Sequence, residues 1–171
     1  MALDPNSLGI PDRVLTPAEC YDAGARASAA LNLADHMLDD PHQRIFGRLW
    51  QHDNSEAWLV SWWGPRDTGY HDHDASSGGI YVMEGRVSEE PLVVNGAARV
   101  REYGPGDHFS FGVGHIHRMH HDPEAVTIHV YSPAITSVGS YEIVDGALTR
   151  TPGSPDEESP ASPELDAALG E

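Results

Sequence analysis

The spacing of apolar residues along the chain changes near residue 45, from a helical period to short alternating runs. Before that point, residues 16–19 (TPAE) have the form of a capping box with proline at the first helical position. They predict an alanine-rich helix that runs to about Met37. Its apolar residues, among them Tyr21 and Leu31, recur at helical spacing, so we expect one face to pack against the outside of a sheet.

From residue 45 onwards, short segments rich in β-branched and aromatic residues alternate with turns built from Gly, Pro, Asp and Asn. The predicted strands are residues 45–50, 57–63, 79–83, 91–94, 99–103, 108–111, 125–131 and 141–144. Strands at this spacing, without helices between them, predict an all-β antiparallel sandwich or barrel.

The composition changes again after Arg150, to Pro, Ser, Gly, Asp and Glu. Residues 151–171 contain six acidic residues and no basic one. Such a segment cannot bury enough apolar surface to offset its loss of conformational entropy. The sequence therefore predicts a helical segment over residues 1–40, a barrel over residues 41–150 and a disordered acidic tail over residues 151–171.

The charge of the chain narrows the range of partners. The formal net charge is −17, and all ten basic residues are arginines. Nucleic acids and anionic membrane surfaces require basic patches, so we expect neither as a partner. Because there is no lysine, Schiff-base chemistry is excluded, and an anionic substrate would have to be bound by arginine.

Cysteine content and the lengths of apolar runs bear on the cellular location of the protein. The single Cys20 excludes an intramolecular disulfide, and its place in the predicted helix indicates a small buried side chain. There is no charged leader followed by an apolar run, and no stretch long enough to span a bilayer. We therefore expect a cytoplasmic protein that is a monomer or a small homo-oligomer.

Three histidines form the candidate site. Residues two apart on a strand share a face, so His71 and His73 would direct both imidazoles to one point inside a sheet. Two such imidazoles with a third from elsewhere make a transition-metal site, and His117 is the candidate for the third. His115 shares the face of His117 and is the alternative. Three imidazoles suit iron, zinc, nickel, copper or cobalt.

The histidines resemble the two motifs of the cupins, which are small jelly-roll barrels. Four residues separate His73 from Gly78, and six separate Gly78 from Gly85, as in the first cupin motif. The second motif is matched by Gly106, Gly112 in the proline position, Gly114, His117, and His121 in the asparagine position. Gly78 is a departure, because cupins place a metal-binding glutamate there. The site is thereby left with three imidazoles and no carboxylate, so a bound divalent metal would keep its full charge to attract an anionic ligand.

A cupin without that glutamate resembles the thiol dioxygenases, and the chain is similar to the cysteine dioxygenase family over about residues 45–135. The resemblance implies a relay of Thr127, His129 and Tyr131, which alternate on a predicted strand and would face inward together. In that family the tyrosine hydroxyl reaches the metal-bound substrate. Gly78 also stands where the family has a cross-linking cysteine, so no thioether can form with Tyr131, as is common among bacterial members.

The family holds the carboxylate of its substrate with an arginine near the start of the barrel. Arg48 matches that position best, and Arg44 is the alternative. A guanidinium can bind a carboxylate in bidentate fashion. Phe46 stands at a substrate-binding position where animal members have a tyrosine, so one hydrogen bond to the substrate would be missing.

The resemblance implies an Fe(II)-dependent dioxygenase that adds both atoms of O2 to a small thiol, with L-cysteine, which gives cysteine sulfinic acid, as the first candidate. Relatives that act on another thiol, 3-mercaptopropionate, tend to lack the arginine, so Arg48 favours cysteine. A non-catalytic cupin that binds a metal or a small ligand is an alternative of a different class. Tyr131 distinguishes the two, because a silent site has little need of a tyrosine beside its metal.

Overall fold

Two antiparallel sheets and one helix account for the regular structure in the described part of the chain. The computed structural model describes residues 2–33, 45–62, 66–93, 96–122, 124–145 and 147–153, without the side chains of residues 45, 46 and 66. The helix is α1 (Pro17–Ala30). The strands are β1 (Ile45–His52), β2 (Ser55–Trp62), β3 (Arg66–Asp67), β4 (Tyr70–Asp72), β5 (Ser77–Glu84), β6 (Val87–Pro91), β7 (Arg101–Tyr103), β8 (His108–Phe111), β9 (His117–His121), β10 (Ala125–Ser132), β11 (Val138–Val144) and β12 (Ala147–Gly153).

The predicted start of the helix is confirmed. The Thr16 side chain accepts a hydrogen bond from the Glu19 backbone, and the Glu19 side chain accepts one from the Thr16 backbone, so both halves of the capping box are present. The helix ends at Ala30 rather than near Met37, because Leu31 already has extended backbone angles. No glycine or proline marks this end in the sequence, and residues 34–44 lie outside the described part.

The first sheet is buried on both faces at strands β2 and β10. Its strand order is β1-β2-β10-β5-β8, and every residue of β2 and β10 is buried. On the outer face, Leu59, Ile128 and Val130 pack in one apolar cluster with Cys20 and Ala27 of α1. The helix therefore covers the outside of a sheet, as its apolar spacing predicts. Burial raises the pKa of the Cys20 thiol to about 12, which is consistent with a structural side chain.

The second sheet closes over the inner face of the first. Its order is β12-β11-β4-β9-β6-β7, with β3 also paired to β9. A second apolar cluster joins side chains of the first sheet, such as Trp62 and Phe109, to Val87 of β6 and Met119 of β9. The predicted all-β barrel with a helix on its outer face is thus confirmed.

The sequence misplaces or misses the strands that carry polar residues inward. Residues 91–94 are predicted as a strand, but the strand is β6, because Glu89 occupies a buried position that breaks its apolar alternation. β9 is missed for the same reason, since His117 and His121 are buried on it. Apolar periodicity cannot detect a strand whose inward residues are histidines and acids.

The last strand also corrects the predicted boundary of the tail. β12 ends at Gly153, so residues 151–153 pair with β11 instead of belonging to the tail. Pro152 is tolerated there because β12 is an edge strand, where a missing backbone N–H costs no ladder hydrogen bond. The rest of the predicted tail, residues 154–171, lies outside the described part. No described helix has the length and apolar character needed to cross a membrane.

Candidate metal centre

The structure brings His71, His73 and His117 together inside the barrel. His71 lies on β4 opposite His117 on β9, and His73 directly follows β4. The ring centroids are 4.9 Å apart for His71 and His73, 4.8 Å for His71 and His117, and 5.5 Å for His73 and His117. One ring nitrogen from each residue lies within 4.8 Å of the others, and all three side chains are buried.

Oxygen atoms lie beside one ring nitrogen of two of these histidines. His71 Nδ1 lies 3.0 Å from the Gly69 carbonyl oxygen, and His117 Nδ1 lies 3.4 Å from Glu89 Oε1. The contact to Glu89 is long, and among the described residues neither nitrogen of the fully buried His117 has a well-formed hydrogen bond. A buried imidazole nitrogen that is left unsatisfied in this way is a group that a metal ion can bind.

Charge at the site also suits a metal ion. Burial lowers the pKa of His117 to about 3, so the imidazole is neutral and can act as a ligand. Burial raises the pKa of Glu89, but hydrogen bonds from His115 and His117 outweigh that effect and hold it at about 2. Among the described residues, the group formed by the three histidines contains no carboxylate. These donors fit a divalent transition metal held by three neutral imidazoles.

The alternative ligand His115 has a different partner. Its Nε2 lies 2.7 Å from Glu89 Oε1, and its side chain is 29% exposed, whereas that of His117 is fully buried. Glu89, His115 and His117 form a second group with ligand-like spacing. In this arrangement Glu89 is hydrogen-bonded to His115 and also lies 3.4 Å from His117 Nδ1. The sequence did not single out Glu89 as a site residue. The one feature that could have done so is an acidic residue at an inward position of a strand.

The row of Thr127, His129 and Tyr131 on β10 is hydrogen-bonded throughout. Thr127 Oγ1 lies 2.9 Å from His129 Nε2, and His129 Nδ1 lies 3.0 Å from the Tyr131 hydroxyl oxygen. Trp62 extends the row, because its indole Nε1 donates to Thr127 Oγ1 at 2.8 Å. The ring centroid of Tyr131 is 4.7 Å from that of His73. The row therefore joins a buried tryptophan to a tyrosine beside the histidine group.

Arg48 lies on the inner face of the first sheet, because it pairs with Trp58, which in turn pairs with His129. Its guanidinium carbon is 4.5 Å from the Trp58 ring centroid, and Nη1 donates to Gln51 Oε1 at 2.6 Å. The side chain is exposed. The alternative Arg44 and the side chain of Phe46 lie outside the described part.

A buried carboxylate on the same face was also missed. Glu56 pairs with Tyr131 across β2 and β10 and is only 4% exposed. Burial raises its pKa, and the carboxylate accepts a hydrogen bond from the Ile135 backbone N–H at 3.2 Å. Acids on strands are ordinarily solvated, so its place in the sequence gave no reason to single it out.

Comparison with known proteins identifies the architecture. No family model matches the chain, and no curated protein sequence matches it. Among solved structures, a cupin superfamily protein from Desulfitobacterium hafniense is similar, with a TM-score of 0.51 and 14% identity over 60% of this chain and 88% of that chain. A conserved protein with a double-stranded β-helix domain from Klebsiella pneumoniae has a TM-score of 0.50 and 16% identity over 60% of this chain and 83% of that one.

The chain has a cupin fold. A protein from Thermus thermophilus is also similar in structure, with a TM-score of 0.52 and 17% identity. The similarity covers 61% of this chain and 96% of that chain. Identities at this level show the fold alone, so the chemistry of this protein must be argued from its own residues. Those residues are the three clustered histidines, the Trp62 to Tyr131 row and Arg48.

Proposed function

We propose that this cupin is an Fe(II)-dependent thiol dioxygenase that converts a small thiol and O2 to a sulfinic acid. The observation that supports this most directly is the Tyr131 ring 4.7 Å from that of His73, with its hydroxyl bonded to His129. A cluster of three histidines alone is compatible with a binding protein. A buried tyrosine held by a hydrogen-bonded row beside that cluster is a group suited to handling a proton.

His71, His73 and His117 would hold the metal. Three neutral imidazoles leave the charge of a divalent ion uncompensated, which favours an anionic ligand such as a thiolate. Fe(II) would supply coordination of the sulfur and the redox chemistry of O2. The protein would supply the orientation of the thiol, exclusion of water and the hydroxyl of Tyr131.

The direction of the hydrogen bonds in the row follows from its donors. An indole N–H can only donate, so Thr127 accepts from Trp62. Thr127 is fully buried, so its own hydroxyl proton needs an acceptor, and His129 Nε2 provides one. His129 then carries its proton on Nδ1 and donates it to the Tyr131 oxygen. The Tyr131 hydroxyl oxygen is thus the acceptor of this last bond, and the whole row fixes the orientation of the hydroxyl beside the histidine group.

Arg48 is the proposed carboxylate-binding residue. It stands on the inner face in the strand row of His129, and its guanidinium is exposed beside Trp58. Only Nη1 is bonded to Gln51 among the bonds described, which leaves donors for a carboxylate. A small thiol that carries a carboxylate is therefore the proposed substrate class, with L-cysteine first and 3-mercaptopropionate second.

Oxygen consumption by the iron-loaded protein tests the proposal. With L-cysteine and ¹⁸O2, we expect equimolar uptake of O2 and a sulfinate that carries two labelled oxygen atoms. The Tyr131→Phe variant is the matched control, since it keeps the ring and the histidines. Disulfide and peroxide in place of sulfinate, or no uptake with cysteine, 3-mercaptopropionate or cysteamine, would refute the dioxygenase and favour a binding cupin.

A further inference from the structure

Asp72, which lies between His71 and His73, is bound by five hydrogen-bond donors. Its Oδ1 accepts from the backbone N–H groups of Asp74 at 3.2 Å and Gly139 at 3.0 Å, and from Arg150 Nη2 at 3.1 Å. Its Oδ2 accepts from Arg150 Nε at 3.1 Å and from the Tyr141 hydroxyl at 2.5 Å. The residue is 6% exposed. Such a saturated carboxylate is a strong, geometrically fixed anchor.

The partners of Asp72 belong to the C-terminal hairpin, β11 and β12. Gly139 and Tyr141 are on β11, and Arg150 reaches over β11 from β12. A Cβ added at Gly139 would lie 2.2 Å from Arg150 Nε, so a side chain there would displace the guanidinium from Asp72. The backbone there is thus shaped to let the guanidinium fork reach Asp72.

The segment that carries the two histidines is short and depends on the C-terminal hairpin. β4 is three residues long, all three residues pair with β11, and it meets β9 at the single pair His71 and His117. His73 lies beyond the strand, and the chain then turns at Asp74, whose φ is +49°. The bond from the Asp74 amide to Asp72 closes this turn on the far side of His73. Asp72 therefore links the turn beyond His73 to the C-terminal hairpin.

We propose that the Asp72–Arg150 pair, supported by Tyr141, is a positioning device that holds His71 and His73 at metal-binding spacing. The C-terminal hairpin then controls metal affinity from the outer side of the strand. This inference requires only that the three histidines bind a divalent metal and does not depend on the thiol reaction. Residues that support metal ligands commonly change metal affinity by about 10–100-fold when they are replaced.

Binding of Co(II) to the full-length protein, without thiol, tests the proposal. Arg150→Gln and Asp72→Asn should weaken Co(II) binding by about 10–100-fold and alter its visible ligand-field spectrum. Arg150→Lys keeps the charge but not the fork, so its affinity should lie between those of Arg150→Gln and the parent protein. Arg86→Gln is the matched control, because Arg86 is exposed and its ion pair with Glu102 is long, at 3.7 Å. This variant should bind cobalt as the parent protein does.

The thermal midpoint of each metal-free variant separates positioning from folding. If Arg150→Gln does not fold, Tyr141→Phe decides, because it removes one neutral donor and leaves the charge pair in place. Tyr141→Phe should weaken Co(II) binding by about 3–10-fold. Folded Arg150 and Tyr141 variants with parental cobalt affinity and spectrum would overturn the proposal. If the unmutated protein binds Co(II) but its iron-loaded form oxidises no thiol, that result would instead count against the proposed function.

Discussion

The ring of Phe111 occupies the space that a side chain on Gly78 would need. The two residues are directly paired across β5 and β8, and a Cβ added to Gly78 would lie 2.3 Å from Phe111 Cζ. The same ring stacks on His73, with centroids 5.1 Å apart and planes inclined by 23°. Position 78, which corresponds to the glutamate of the first cupin motif, therefore has no room for a side chain unless Phe111 moves.

Substitution of Gly78 should disturb both packing and metal binding. Gly78→Ala forces Phe111 to move, and we expect a loss of about 1–3 kcal/mol in the free energy of unfolding, measured with chemical denaturant. The double variant Gly78→Glu/Phe111→Ala creates the missing space and adds a carboxylate. Its Co(II) spectrum should change to that of a site with three nitrogen ligands and one oxygen ligand. An unchanged spectrum would show that position 78 does not face the metal.

Replacement of His117 and of His115 should have different effects on metal content. His117→Ala removes a fully buried ligand, so we expect at least about 100-fold weaker binding of Fe(II) or Co(II). His115→Ala removes only a partner of Glu89, and a loss of no more than about 10-fold is expected. Anaerobic titration of both purified variants measures this difference. The reverse order of affinities would make His115 the third ligand.

Removal of the indole donor should reverse the direction of hydrogen-bond donation along the row from Thr127 to Tyr131. In the parent protein we expect His129 to carry its proton on Nδ1, which ¹⁵N NMR of the imidazole nitrogens can measure in the metal-free protein. Trp62→Phe removes the donor to Thr127 and should increase the fraction of the Nε2–H tautomer. The same variant should lose thiol oxidation while keeping Co(II) affinity. A proton on Nε2 in the parent protein contradicts the proposed direction.

Arg48 should matter only for thiols that carry a carboxylate. A hydrogen bond between charged groups contributes about 1.5–3 kcal/mol to binding. Arg48→Ala should therefore raise the KM for L-cysteine by about 10–100-fold. Cysteamine, which lacks the carboxylate, provides the control, and its KM should be the same in both proteins. Arg48→Lys should recover part of the affinity. An unchanged KM for cysteine in Arg48→Ala would remove this residue from the site.

The sequence was informative wherever local geometry decides the outcome. The two-residue period of a strand places Thr127 beside His129 and Tyr131, and the same spacing brings His71 and His73 together although His73 lies just beyond β4. The capping box fixes the start of α1 for the same reason, because its hydrogen bonds join residues three apart. The barrel followed from the number and spacing of short strands.

Only the tertiary structure could decide which distant residues meet. Glu89 beside His117, Phe111 over Gly78, and Arg150 on Asp72 all depend on register between strands that are far apart in sequence. That register is set by the packing of the whole barrel, and a polar residue turned inward leaves no apolar pattern to reveal it. The sequence alone therefore identified the three histidines and the row that ends at Tyr131 as candidate site residues. The tertiary structure decided which other residues hold them in place.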